Sequence, residues 1–291
     1  MMKPPRSYET PGSLRQAIES RINQRAKTQA ELQRLRRLVA FDRLLARLFA
    51  ERSSPWIVKG GYSLEVRYGM KARTTKDVDL TLPESGPPAD RPEKLIQKLW
   101  DDLQEAAAQD IADHFAVNVG APQQEFDAPP GGGARFPVEV RLDGRVFAKF
   151  HLDVGVGDVI LDKAEWANGE DYLSFASIPP ARFRIMPLTQ QFAEKVHAYT
   201  LPRRGGVNSR VKDLADLTLI LDQGIPDSQS VKSAIEATFQ YRATHQIPDS
   251  FPAAPATWAS SYTAIARELE LSQTTIESAV LRLDSYWKTI F

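Results

Sequence analysis

The stretch Trp56–Leu82, WIVKGGYSLEVRYGMKARTTKDVDLTL, constrains this chain more than any other. A short apolar run, Trp56-Ile57-Val58, leads into Lys59-Gly60-Gly61. An amphipathic segment from Tyr62 to Tyr68 follows and is closed by Gly69. The stretch ends in Asp77-Val78-Asp79-Leu80-Thr81-Leu82, which alternates polar and apolar residues. The pattern predicts strand, glycine turn, short helix, strand. Residues i and i+2 of a strand share a face, so Asp77 and Asp79 project together. Two carboxylates that close repel unless a cation or a proton lies between them. A divalent metal meets that need, and phosphate is its natural substrate.

The rest of the chain reads as helices around a sheet. Ser13 and Gln16 have capping-box spacing ahead of Leu14, Ile18 and Ile22. Residues 1–12 before them read as a loose arm. A longer helix is expected over Thr28–Glu51 and another over Arg91–Ala108, after a Pro-Glu-Ser-Gly-Pro-Pro break. Residues 111–156 read as antiparallel β: a strand Phe115–Val119, a loop Pro129–Gly133, and a hairpin of Phe136–Leu142 with Arg145–Val156 about the turn Asp143-Gly144. In the second hairpin strand Lys149, His151, Asp153 and Gly155 share one face, which makes Asp153 a third carboxylate of interest. From Pro187 the chain turns helical: Leu188–Tyr199, Ser209–Leu221, Ser228–Arg242, and a last helix capped by Thr274 with Glu277. Asp213 and Asp216, three apart, are neighbours on one helix surface. The expected fold class is α+β, a mixed and mostly antiparallel sheet flanked by helices. A boundary near residue 185 divides an N-terminal domain, 1–185, from a helical C-terminal domain, 186–291.

Charge and composition narrow the chemistry. The 37 lysines and arginines equal the 37 aspartates and glutamates. Local bias survives, since Gly12–Arg52 holds ten basic residues against four acidic ones. Such a run is a solvated helix face or a surface for a polyanion. With no cysteine, disulfides, thiolate metal sites and cysteine nucleophiles are excluded. No apolar run approaches the ~18 residues of a membrane span, and the N-terminus lacks a signal-peptide core; a soluble, cytoplasmic protein is expected.

The three acids form an oxygen-rich set suited to Mg²⁺ or Mn²⁺. The Gly60-Gly61 turn brings backbone N–H groups toward a phosphate. Ser63 or Tyr62 adds a hydroxyl, and Lys195 and Arg210 offer cations for a triphosphate. Each piece alone has a plainer reading. Asp-x-Asp and Gly-Gly are common, Lys59 can simply flank a buried strand, and His197 reads as a satisfied helix residue. The five tryptophans are scattered and read as core or interface.

Taken in order, the motifs carry a resemblance. Lys59-Gly60-Gly61-Tyr62-Ser63-Leu64, Arg67-Tyr68-Gly69, Thr75-Lys76-Asp77-Val78-Asp79-Leu80, Lys149-Phe150-His151-Leu152-Asp153, Glu194-Lys195 and Asp213-Leu214-Ala215-Asp216 together resemble the AbiEii/MenT-type toxins of bacterial toxin–antitoxin pairs, within the polymerase-β-like nucleotidyltransferases. The resemblance spans about residues 56–217. It implies a minimal nucleotidyltransferase fold whose C-terminal helical domain completes the active site. Asp77, Asp79 and Asp153 would hold metal, Lys195 and Asp213 would handle the nucleotide, and Gly60 and Gly61 would face phosphate. Lys59, Ser63, Arg210 and Asp216 would join the substrate site. It further implies an NTP co-substrate, the 3′ end of tRNA as acceptor, block of translation, and a cognate antitoxin. The wider superfamily has Gly-Ser at the turn, whereas Tyr62 follows Gly61 here and Ser63 comes one place later. A protein acceptor, γ-phosphate transfer on the same fold, and a non-enzyme with a structural cation are the alternatives. Thr75, two residues before Asp77, reads as support for the strand or as a modification site.

Overall fold

The computed structural model describes residues 8–83, 92–126, 131–202, 210–224 and 227–291. The start of the expected arm, the break after Pro83, Pro129-Pro130 and Arg203–Gly206 lie outside the described residues. Two compact units divide the chain. The first takes Met1–Tyr62, Thr74–Asp158 and Trp166–Ile185; the second takes Ser63–Arg73, Val159–Glu165 and Met186–Phe291. Each therefore draws on separated segments, where a single cut at 185 was expected.

The first unit is built on a sheet. Its elements are α1 (Pro11–Arg25), α2 (Gln29–Leu48), β1 (Ile57–Lys59), β2 (Asp77–Pro83), α3 (Pro92–Ala107), β3 (Phe115–Val119), β4 (Gln124–Phe126), β5 (Gly133–Leu142), β6 (Arg145–Asp158), β7 (Glu165–Asn168) and β8 (Arg182–Ile185). The strand order is β3-β5-β6-β2-β1-β8-β7, with β4 beside β5. Four pairings are antiparallel, while β2–β6 and β1–β8 are parallel. The sheet is mixed and mostly antiparallel, as expected. Asp143 and Gly144 both have positive φ, 57° and 67°, the conformation a tight Asp-Gly hairpin turn demands.

Alternation separates the two faces of the central strands. Val78, Leu80, Leu152 and Val154 are fully buried. Phe150 on β6 meets Phe41 of α2 edge-on, with ring centroids 4.7 Å apart. Polar residues therefore take the opposite face. Helix starts differ from expectation by small steps. Thr10 caps α1, accepting from the Ser13 amide at 3.2 Å, with Pro11 in the first turn, where its missing N–H costs nothing. Thr28, the expected first residue of the second helix, instead caps α2, accepting from Glu31 N at 3.1 Å. Strands β4, β7 and β8 were not anticipated, being only three or four residues long.

Part of the basic bias of the N-terminal helices is internal, while Arg21, Arg25, Lys27 and Arg52 are exposed. Arg43 and Arg47 are buried, 1% and 2% exposed. Arg47 grips Asp113 with two hydrogen bonds of 2.9 and 2.7 Å, and Arg43 pairs with Asp42. Burial pushes the Asp42 carboxyl above its ordinary range even with Arg43 opposing. Arg36 pairs with Glu19, and Arg15 donates to the carbonyls of Leu142, Arg145 and Val146. These arginines fasten helices to sheet and to one another; neither a free solvated face nor an open polyanion surface describes them.

The second unit is helical. Its elements are α4 (Gly60–Tyr68), which starts at the edge of the first unit, α5 (Leu188–Thr200), α6 (Val211–Gln223), α7 (Ser228–Arg242), α8 (Ala259–Glu268) and α9 (Ile276–Ile290). One core joins them: Leu64, Phe192, Val196, Leu214, Ile220, Ile235, Tyr262, Leu283 and Trp287 are among its buried members. Thr275 and Ser278 make the capping box of α9, one residue beyond the expected Thr274 and Glu277. Trp56, Trp258 and Trp287 are buried, consistent with a packing role, whereas Trp166 is exposed with Arg182 over its ring.

Candidate active site

Strand register assembles the site in the first unit. Lys59 lies opposite Asp79, Asp79 opposite Asp153, and Asp153 opposite Arg135. Directly opposed residues point to the same face. The four side chains thus form one row across β1, β2, β6 and β5: cation, acid, acid, cation. One step along, Asp77 lies opposite His151, and its Oδ1 is 3.4 Å from His151 Nδ1. The parallel β2–β6 pairing is what brings Asp153 beside Asp79.

The turn before α4 is shaped around Asp79. Gly60 has φ +66°, and a Cβ there would lie 1.9 Å from Asp79 Oδ2. A side chain would enter the space of the carboxylate, so glycine is required twice over, by conformation and by room. Lys59 is held by Asp158, a buried acid at the end of β6. Gly155 lies beside that pair, its would-be Cβ at ordinary contact distance, 3.5 Å from Lys59 Nζ and 3.7 Å from Asp158 Oδ2. Thr75 is buried and donates to the Asp77 carbonyl at 3.0 Å, which makes it a support for the strand entry.

Asp153 is not bare. Arg135 donates to both of its oxygens, each bond 2.7 Å. Those bonds hold the guanidinium pKa above its already high ordinary value, against the pull of partial burial. Among the described residues no three His, Cys, Asp or Glu side chains converge as a ready-made metal cage. Asp77 and Asp79 nonetheless offer the hard oxygen donors that Mg²⁺ takes together with water and phosphate. Asp153 stands beside Asp79 in register, with both of its oxygens engaged by Arg135.

Residues expected at the same site also occur in the second unit. Lys195 is buried and reaches Asp216 at 2.6 Å and Asp213 at 3.2 Å. Arg73 donates to Asp216 at 3.0 and 3.1 Å, and Arg210 lies 3.4 Å from Asp213. Burial alone would lower the Lys195 pKa, but Asp216 and Asp213 outweigh it and leave it raised. Burial would raise Asp216, yet Lys195 and Arg73 hold it below the ordinary carboxylate range. Lys195 is thus a cation held inside a buried ion-pair cluster.

Both candidate hydroxyls of the turn have other surroundings in the fold. Ser63 is fully buried, and its hydroxyl donates to Gln191 Oε1 at 2.9 Å, so it is spent on packing α4 against α5. Tyr62 is a core residue, 5.2 Å from Phe41 and 6.1 Å from Phe183 between ring centroids. Neither supplies a free hydroxyl to phosphate. His197 is buried and pushed down to about 3, by burial first and then by Arg242 and His245; it stays neutral, as its reading as a satisfied helix residue requires. Arg135, Asp158 and Arg73 were not foreseen, because each matters through a partner far along the chain.

The polar row, the glycine turn and the helical unit match a known family over most of the chain. The sequence model of the AbiEii nucleotidyl transferase toxin of type IV toxin–antitoxin systems covers residues 43–288. This chain belongs to the AbiEii family. As an AbiEii-type toxin it is a nucleotidyltransferase, which implies an NTP substrate and an antitoxin partner. Its fold is similar to that of MenT4, a nucleotidyltransferase toxin of Mycobacterium tuberculosis H37Rv, with a TM-score of 0.54 at 16% identity over 95% of this chain and 98% of that one. Weaker likenesses link this AbiEii chain to an antigenic nucleotidyltransferase-like protein from Paracoccidioides brasiliensis (TM-score 0.38, 15% identity, 84% of this chain and 96% of that one). The antibiotic-resistance factor ANT(2'')-Ia gives a TM-score of 0.36 at 17% identity, over 71% and 92%. No curated protein matches significantly. No described helix is long and apolar enough to cross a membrane.

Proposed function

We propose that this AbiEii chain is a metal-dependent enzyme that moves a nucleoside monophosphate from an NTP to the 3′-terminal hydroxyl of tRNA, and so blocks translation. The observation that carries the reading is the row Lys59–Asp79–Asp153–Arg135, with Asp79 seated against Gly60. In the reaction the acceptor oxygen bonds to the α-phosphorus, the α–β bridging P–O bond breaks, pyrophosphate leaves, and the hydroxyl proton is lost to solvent.

Asp77 and Asp79 would hold Mg²⁺ or Mn²⁺, with Asp153 as third ligand once freed from Arg135. Such a cation neutralises phosphoryl oxygens and favours the ionised acceptor. The protein's own groups bind and orient. Lys59, fixed by Asp158, presents its ammonium to a phosphate, and Gly60 and Gly61 offer backbone N–H groups. Lys195 and Asp213 are assigned to nucleotide handling, with Arg210 as a phosphate cation and Asp216 fixing Lys195.

The test uses α-labelled and γ-labelled NTPs with total RNA and total protein. Label from the α-phosphate should appear on small RNA, and Asp77→Ala and Asp79→Ala should abolish it without unfolding the protein. The γ-label on protein would instead indicate a kinase, and α-label on protein a protein nucleotidyltransferase. A wild-type protein that transfers neither label would return the acids to a structural role.

A further inference from the structure

Asp77 borders a space that the row of four does not use. A cavity of about 750 Å³ opens beside it, within the ~300–1,000 Å³ range of ligand sites. Lys76 and Asp77 line it at the start of β2, Lys149 and His151 on β6, Glu139 on β5 and Asn118 on β3. It spans four strands of the first unit.

We infer that this cavity seats the acceptor, taking the terminal single-stranded nucleotides of an RNA; the inference rests on the reading above. The two acids of β2 have different surroundings. Asp79 abuts Gly60 and stands opposite Lys59, the groups suited to a triphosphate. Asp77 faces the cavity and His151. Attacking oxygen and departing pyrophosphate lie in line on opposite sides of the α-phosphorus. With triphosphate on the Asp79 side, the hydroxyl enters from the Asp77 side, through the cavity.

The lining fits RNA. Lys76 and Lys149 are exposed ammonium groups for backbone phosphates. Asn118 offers donor and acceptor atoms to a base edge or a 2′-hydroxyl. Glu139, also in the lining, is held by Arg141 at 2.6 Å and shares Lys149 at 2.7 Å, and Arg37 adds a further cation to the lining. A peptide around a hydroxyl residue brings no regular row of anions for such cations to meet.

The full chain and its Lys76→Glu and Lys149→Glu variants decide the matter, with a single-stranded RNA oligonucleotide bearing a free 3′-hydroxyl as probe. Each reversal should weaken RNA binding about ten-fold and lower the slope of log affinity against log salt by about one. The KM for NTP and the thermal midpoint should hold. A photoreactive nucleotide next to the 3′ end should cross-link wild type within the lining, which keeps a readout if a variant misfolds. Wild-type label on RNA, with variants that bind and label RNA as well as wild type and a cross-link elsewhere, overturns this inference alone. A raised NTP KM with unchanged RNA binding also overturns it, giving the cavity to the nucleotide. If wild type labels only protein, the tRNA reading fails and this inference fails with it.

Discussion

The carboxylate of Asp79 fills the space that a side chain on Gly60 would need, Oδ2 lying 1.9 Å from where a Cβ would stand. The glycine turn and the acidic strand are therefore one device. Gly60→Ala imposes a left-handed conformation costing ~1–2 kcal/mol and displaces the acid. Transfer activity should fall about 100-fold or more, as an ångström of misplacement in a catalytic group does. Steady-state rates set beside thermal unfolding check this; an active, equally stable Gly60→Ala protein would show that Asp79 has no fixed place in the chemistry.

Arg135 caps Asp153 with both guanidinium arms. The pair is partly solvated, 33% and 17% exposed, so Arg135→Gln should cost about 1 kcal/mol or less in stability. Freed oxygens on Asp153 should tighten Mn²⁺ binding several-fold, read by electron paramagnetic resonance titration without substrate. Unchanged Mn²⁺ affinity would remove Asp153 from the ligand set.

Arg47 is a fastener and not part of an RNA surface. It bonds Asp113 at 2.9 and 2.7 Å and the Phe115 carbonyl at 2.6 Å, inside the core. Arg47→Met removes both short bonds to Asp113 and leaves the buried acid only Arg43 at 3.6 Å as a cation, which should cost up to ~3–5 kcal/mol in urea unfolding. The salt dependence of RNA binding should not move; a flatter slope would place Arg47 at the nucleic acid.

Three buried groups of the helical unit titrate away from their ordinary values. Asp216 titrates below its ordinary 3.8, so its stabilisation is present above that value and is lost as pH falls through the folded pKa. Lys195 titrates above its ordinary 10.5, so its stabilisation is present below that value and is lost as pH rises through the folded pKa. His197, at about 3 against 6.5, acts in the acid limb: the unfolded chain takes up a proton first, so stability declines from pH 6.5 toward 3. Thermal midpoints between pH 3 and 11 should trace a plateau at neutral and mildly alkaline pH that falls on both sides. In Asp216→Asn the drop below pH 4 should shrink relative to wild type; an identical acid limb would assign it to other carboxylates.

The hairpin shows where reading by sequence stopped. Asp143-Gly144 located the turn, and alternation put Asp153 on the polar face. Counting back from that turn pairs Arg135 with Leu152, on the wrong face. A bulge between Val140 and Arg141 shifts the register by one and pairs Arg135 with Asp153. A single extra residue swaps every side chain between faces, and no local pattern around Phe147 announces it. The surroundings of Ser63 were hidden for a related reason. Its spacing after the glycines is visible, but its burial against Gln191 depends on α5, more than a hundred residues away.

By itself the sequence determined the local chemistry: two acids on one strand face, glycines before a helix, an Asp-Gly hairpin, and helical periodicity from Pro187 onward. These depend on backbone periods and on conformations only glycine adopts easily, which neighbours in sequence already specify. Tertiary structure alone decided which charges meet. Parallel pairing of β2 with β6 set Asp79 beside Asp153, and the end of β6 brought buried Asp158 to Lys59. The helical core put Arg73 and Lys195 on Asp216. A buried charge is tolerable only with its counter-charge in reach, and reach is a property of the folded chain, not of spacing along it.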